Sequence, residues 1–199
     1  MKFLFSIFVG LFLSISAHGQ LSFTTYCDID NGNLKVGGVF NEDMVTCFMD
    51  AVAVTPLNKP IHVYMNSPGG VMSAYHSIMK IVKEDGRFKT ITCDRCFSAA
   101  AFFFELSGLK RIMYEDSILM FHQERVHSNG SALTVKILKE ILKEIQKDNN
   151  ELSRQICKVI KMDVKRYRAR TEEDWFVDAK TAKKLCMVDK VIKRTVNGK

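Results

Sequence analysis

The most constraining stretch of the chain lies between residues 61 and 98. Ile61-His62-Val63-Tyr64-Met65 reads as a strand and runs into Asn66-Ser67-Pro68-Gly69-Gly70. A helical stretch follows, with Val71, Ala74, Tyr75, Ile78, Met79 and Val82 on one face and Glu84-Asp85-Gly86 at its end. A second β-branched run, Phe88 to Cys93, then leads through a polar turn to Ser98 at the head of Ala99-Ala100-Ala101-Phe102. The order is strand, glycine turn, helix, strand, serine turn, helix. Crossovers of this kind are right-handed and join parallel strands, so the carboxyl ends of those strands share one rim, where open α/β sheets place their sites. Two glycines after a strand permit positive φ and present backbone N–H groups with no Cβ in the way.

The flanking segments extend the same α/β plan. Asn33 to Phe40 is expected to be a strand, Asn41 the cap of a helix, and Met44, Val45, Phe48, Met49 and Val52 its buried face. Arg111 to Glu115 and Ile118 to Phe121 read as two short strands, the second ending at His122-Gln123. A long helix is expected over about 131–160, with Leu133, Ile137, Leu138, Ile141, Leu142, Ile145, Leu152 and Ile156 as its stripe. Such a stripe is either core or an interface with another copy. Lys161 to Arg170 reads as a basic helical stretch, Asp178 as the cap of Ala179 to Leu185, and Met187 to Ile192 as a closing strand.

Three side chains carry candidate chemistry. Ser98 stands at a strand-to-helix junction, beside unpaired N–H groups and the positive end of a helix dipole, a suitable place for a nucleophile and an oxyanion. Serine is also a favoured N-cap, so a merely structural role is the competing reading. His122 ends a buried strand on the same rim and is placed to take and return the serine proton. Asp174, directly before the only tryptophan, can accept an imidazole N–H and fix its tautomer. His62, His76 and His127 read as ordinary polar residues.

Met1 to Gly19 has one lysine, an apolar run from Phe3 to Leu13 and the small-residue pattern Ala17-His18-Gly19, the marks of an export signal. Residues 20–199 are then expected to form a single domain in the periplasm or outside the cell. An uncleaved anchor is the alternative. Six cysteines in an oxidising compartment allow several pairings. Cys93 and Cys96, flanking the approach to Ser98, form a possible disulfide. No cysteine or histidine spacing suggests a metal or a cofactor. The net charge of +7 is spread over helix faces, with no basic and aromatic constellation for nucleic acid.

Asn66-Ser67-Pro68-Gly69-Gly70, Ser98-Ala99-Ala100-Ala101-Phe102, Ile118-Leu119-Met120-Phe121-His122-Gln123 and Asp174-Trp175-Phe176, followed by Ala179 through Ile192, resemble the proteolytic subunit of the Clp protease in order and spacing. The resemblance implies an α/β crotonase-like fold of repeated ββα units with a protruding handle helix, and assembly into homo-oligomeric rings. It implies Ser98 as nucleophile, His122 as general base and acid, and Asp174 as orienting carboxylate. It also implies an oxyanion hole from Gly70 and Ala99, and substrate contacts from Gly69, Val71 and Gln123. The expected substrate is a peptide or an unfolded protein segment. Asp94-Arg95-Cys96-Phe97 replaces the usual small and glutamine residues before the nucleophile, and Glu124 replaces a proline. The short stretch before the first family strand, together with export, argues against an ATPase partner. A catalytically inactive structural or binding subunit remains open, as does an enzyme similar to signal peptide peptidase with Lys110, Lys136 or Lys139 as base. A crotonase-type acyl-CoA enzyme shares the fold, but an exported protein has little access to coenzyme A.

Overall fold

The computed structural model describes residues 24–125 and 134–194. The export segment, His127 and Leu133 lie outside the described residues. In chain order the elements are β1 (Tyr26–Asp30), β2 (Asn33–Phe40), α1 (Glu42–Val54), β3 (Ile61–Gly70), α2 (Met72–Glu84), β4 (Phe88–Phe97), α3 (Ala99–Leu106), β5 (Lys110–Phe121), α4 (Val135–Val159), α5 (Val164–Thr171), β6 (Trp175–Asp178), α6 (Ala179–Lys184) and β7 (Lys190–Ile192).

The strands form one sheet in the order β1-β2-β3-β4-β5-β6, with β7 also paired to β5. Strands β2, β3, β4 and β5 are parallel, as the crossovers require. β1 and β6 close the two sides antiparallel. This is the α/β architecture expected of a Clp-type fold. Alternation in β3 is strict: Ile61, Val63, Met65, Ser67 and Gly69 are buried, and the residues between them are not. The buried face meets Phe48 and Phe103, whose rings lie 5.6 Å apart edge to face, and Phe40 packs 6.2 Å from Phe103. Each fully buried phenylalanine contributes on the order of 2 kcal/mol.

Several elements differ in extent from the sequence expectation. The Pro-Gly-Gly segment does not turn; β3 stays extended through Gly70, and α2 begins after Val71. β4 likewise continues past Cys93 to Phe97, because one extra residue bulges out where Met65 and Ser67 of β3 face Cys93 and Cys96. The two short strands at 111–121 are one strand, β5, interrupted by an excursion between Met113 and Ile118. Ser117 closes that excursion, its hydroxyl donating to the Cys93 carbonyl at 2.6 Å and accepting from the Tyr114 N–H at 2.9 Å. β1 was not foreseen, because Tyr26-Cys27-Asp28-Ile29-Asp30 alternates polar and apolar over too short a run. In α1 the inward face is Met44, Cys47, Phe48 and Ala51, while Met49 is exposed.

Caps set the helix starts where the sequence placed them. The Asn41 side chain accepts from the Met44 N–H at 3.1 Å, and Asp178 accepts from the Thr181 N–H at 2.7 Å. The long helix α4 runs Val135–Val159, capped by Thr134. Leu152 and Ile156 are buried, whereas Val135, Ile137, Leu138 and Leu142 are exposed. The carboxyl-terminal half therefore belongs to the core and the amino-terminal half projects an apolar stripe. Among the described residues no helix is long and apolar enough to cross a membrane.

Candidate active site

The carboxyl ends of β3, β4 and β5 carry Gly70, Ser98 and His122 to one rim. Ser98 occupies the N-cap position of α3 with φ +53° and ψ −122°, and its side chain makes no cap hydrogen bond. That excludes the purely structural reading in which the hydroxyl is spent on the helix. A non-glycine residue in this sparsely populated region costs about 1–3 kcal/mol and persists only where its surroundings hold it. Here the Ser98 N–H donates to the Met120 carbonyl of β5 at 2.8 Å, and the Ser98 carbonyl accepts from Ala101 and Phe102 at 2.9 and 3.0 Å. Backbone bonds on both sides thus fix a sharp elbow whose hydroxyl faces outward, as a strand-to-helix nucleophile needs.

The glycines before α2 make room for that elbow. A Cβ on Gly69, at φ +92°, would stand 2.6 Å from the Phe97 carbonyl oxygen and 2.7 Å from the Ser98 Cβ. A Cβ on Gly70, at φ +155°, would meet the Phe40 carbonyl oxygen at 2.3 Å. Gly69 is thus a packing residue beneath Ser98, and Gly70 opens onto the site. Ala99 follows the elbow as the first residue of α3, where an N–H has no intrahelical partner.

Ser98, His122, Gly70 and Val71 line one cavity of about 530 Å³, together with Pro68, Met72, Phe102, Glu124 and Arg125. Among the described residues no lysine lines it, and Lys110 lies at the opposite end of β5. Lys136 and Lys139 sit on the exposed turns of α4. Phe97 and Arg95 are absent from the lining. Phe97 turns aside to pack edge to face on Phe176, 5.9 Å away. A second cavity of the same volume, lined by Tyr26, Tyr64, Tyr114 and Arg194 among others, holds no serine or histidine among the described residues.

His122 is half-buried, and its Nδ1 lies 2.6 Å from the Gln123 carbonyl oxygen. A carbonyl only accepts, so Nδ1 is the protonated nitrogen in this contact, and Nε2 is left as the basic one. Gln123 is held in turn by its N–H donating to the Thr171 carbonyl at 2.9 Å, and Glu124 by its N–H donating to Asn149 of α4 at 2.7 Å. Gln123 therefore orients the imidazole through its backbone and does not line the cavity. Burial, with Asp148 adding to it, pushes the Glu124 carboxyl above its ordinary value.

Asp174 sits one residue before Trp175, the partner of Phe121 in the antiparallel β5–β6 ladder. The next rung would set it opposite His122. Its carboxylate is paired with the Arg125 guanidinium, and no hydrogen bond joins it to His122 among the described residues. Sequence reasoning assigned no role to Arg125, Glu124, Met72 or Phe102, which line the cavity. The adjacent charges of Glu124-Arg125 after His122-Gln123 were the only hint.

A comparison with protein families matches residues 39–195 to the family described as Clp protease. The chain belongs to the Clp protease family. That span runs from β2 through β7 and contains every residue of the cavity, so family membership, fold and rim agree. Cys93 and Cys96 of this Clp-type chain are both free and fully buried. Because of the bulge in β4 they share a face, with Cys93 Sγ 4.0 Å from the Ile118 carbonyl and Cys96 Sγ 3.9 Å from the Met65 carbonyl. Burial, reinforced by a hydrogen bond to Cys96, holds the Cys93 thiol well above its ordinary range. Among the described residues no cluster of histidine, cysteine and carboxylate side chains suits a metal ion.

Proposed function

We propose that this chain is an exported, ATP-independent serine endopeptidase that cleaves peptides or unfolded protein segments with Ser98, His122 and Asp174. The observation that carries the reading is the Ser98 elbow: a hydroxyl freed from capping, at positive φ, in the same cavity as an imidazole whose Nδ1 is engaged by the Gln123 carbonyl. In the proposed reaction Ser98 Oγ attacks the scissile carbonyl carbon while His122 Nε2 takes its proton. The oxyanion is held by the N–H groups of Gly70 and Ala99, and each such donor is worth about 3 kcal/mol in the transition state. His122 then gives the proton to the leaving amine. Water, activated by the same imidazole, hydrolyses the acyl-enzyme.

Asp174 enters this scheme by exchanging Arg125 for His122, a change the adjacent rung of the β5–β6 ladder favours. Val71 and Gly70, at the open side of the cavity, would flank the bound peptide. We assign to the exposed stripe of α4 the role of a handle between rings of identical subunits, and to residues 1–19 that of the export signal. A Cys93–Cys96 bridge would tighten the bulge that leads to Ser98. The Arg125–Asp174 pair favours one alternative, a ClpP-like subunit that is folded but inactive. Labelling with a fluorophosphonate separates the two: the peptidase reading expects adduct at Ser98, and loss of label and of peptide hydrolysis in Ser98→Ala. Absence of label in the wild-type ring would establish the inactive subunit.

A further inference from the structure

Away from the cavity, β1 and α1, which are in contact, each carry a cysteine. In the β1–β2 ladder Cys27 is the partner of Val36, and Ile29 that of Leu34. Opposed residues of an antiparallel pair project to the same face. Leu34 and Val36 are fully buried on the face that α1 covers. The other face of β1 carries Asp28, which pairs with Lys35 at 3.1 Å. On α1, Cys47 belongs to the inward stripe with Met44, Phe48 and Ala51. Cys27 thus projects from the sheet border toward the side of the helix that bears Cys47, and α1 lies in contact with β1.

We propose that Cys27 and Cys47 are a redox clip, forming a disulfide that fastens the edge strand β1 to helix α1 by exchange with a small-molecule disulfide. The assignment is independent of the peptidase reading. The division of labour follows from exposure: Cys27 is exposed and Cys47 buried. Burial, reinforced by the Cys27 thiol, pushes the Cys47 thiol up to about 12. Cys27 therefore meets the oxidant first. Its thiolate attacks one sulfur of oxidised glutathione, forming a mixed disulfide and expelling one glutathione thiolate. The Cys47 sulfur, as its proton leaves, then attacks the Cys27 sulfur and expels the second. Two protein thiols are oxidised, one glutathione disulfide is reduced to two thiols, and the two protons lost from the protein are taken up by the departing thiolates.

The clip matters because β1 has a single strand partner and an exposed surface, the properties of a segment that opens before the rest of the fold. Closing a loop of about 20 residues constrains the unfolded chain, and for a protein of this size the melting temperature should rise by about 5–10 °C. Cys93 and Cys96 differ in that both are fully buried, so an oxidant reaches neither without local opening.

The test is to incubate the full chain with oxidised glutathione, alkylate the remaining thiols, digest without reduction and identify linked peptides by mass spectrometry. A Cys27–Cys47 peptide is expected, with a rise in melting temperature that reductant reverses. Cys27→Ser, at an exposed position, should abolish both. Cys47→Ala should leave Cys27 as a stable glutathione adduct. Wild-type protein in which Cys27 stops at that adduct, or links to another cysteine, overturns the proposal. A linked pair with no change in melting temperature overturns the clip as a stabilising device.

Discussion

Gly69→Ala tests the link between β3 and the nucleophile. The new Cβ would lie 2.6 Å from the Phe97 carbonyl oxygen, 2.7 Å from the Ser98 Cβ and 3.0 Å from the Ala99 nitrogen. Two of these three atoms are backbone, so no side-chain rotation relieves the contact. Restoring ordinary separations takes a displacement of about half an ångström or more, and misplacement near 1 Å at a reacting centre costs about 100-fold in rate. Alanine at φ +92° adds a strain of about 1–2 kcal/mol. For a domain of this size, 1 kcal/mol corresponds to about 2–4 °C in melting temperature. The variant should therefore fold, melt about 2–8 °C lower, and lose at least tenfold in kcat/KM on a fluorogenic peptide, with slower fluorophosphonate labelling in proportion. Both rates are needed, because labelling requires the elbow but not peptide docking. A folded Gly69→Ala protein with undiminished labelling and hydrolysis would refute the argument that close approach at this glycine sets the position of Ser98.

Three further outcomes follow from other contacts. Arg125→Gln frees the Asp174 carboxylate; an exposed ion pair is worth about 0.2–1 kcal/mol, so kcat should rise by up to about fivefold in steady-state assays, and a fall in kcat with raised KM would mean that Arg125 holds substrate instead. Glu105 is fully buried in α3, with one oxygen unpartnered among the described residues and the other on Arg111, whose guanidinium Asp189 shares. Burial outweighs that single contact and raises its carboxyl to about 8. The folded state then binds a proton that the unfolded state has released, so stability is greatest below about pH 4.5 as far as this group is concerned and declines as pH rises toward 8. Melting curves from pH 5 to 8.5 should show this decline, and Glu105→Gln should flatten it; identical slopes would remove Glu105 as the cause. Asn41→Ala removes the acceptor for the Met44 N–H and should cost about 1 kcal/mol in urea unfolding, whereas an unchanged midpoint would show the cap to be idle.

The parallel centre of the sheet was legible because hydrophobic runs and glycine breaks alternate there with helical periodicity, and the β3–α2–β4 crossover lies within residues 61–98. The rim position of Ser98 and His122 followed from that order alone. What escaped was set by contacts between distant segments. The extension of β4 through Cys96 depends on pairing with Met65 and Ser67, and polar Asp94-Arg95 in isolation resembles a turn. The fusion of two short strands into β5 depends on Ser117 bonding the Cys93 carbonyl across the sheet. The partner of Asp174 was invisible for the same reason: nothing local says that Arg125, 49 residues earlier, reaches it. Met49 and Cys47 exchange roles in α1 because the helix rolls to seat Phe48 against Phe88 and Phe103.

Strand β5 is gripped on one flank by two segments from the far end of the chain: β7 at Ile112–Tyr114 and β6 at Ile118–Phe121. Ribosomes extend chains at about 5–20 residues per second, so the imidazole's supporting strand waits several seconds after its own synthesis before its neighbours exist. On the proposed function, a peptidase built this way lacks a finished site while it is nascent, since the serine elbow also leans on that strand through the Met120 carbonyl. Completion of that rim is thereby tied to the synthesis of β6 and β7.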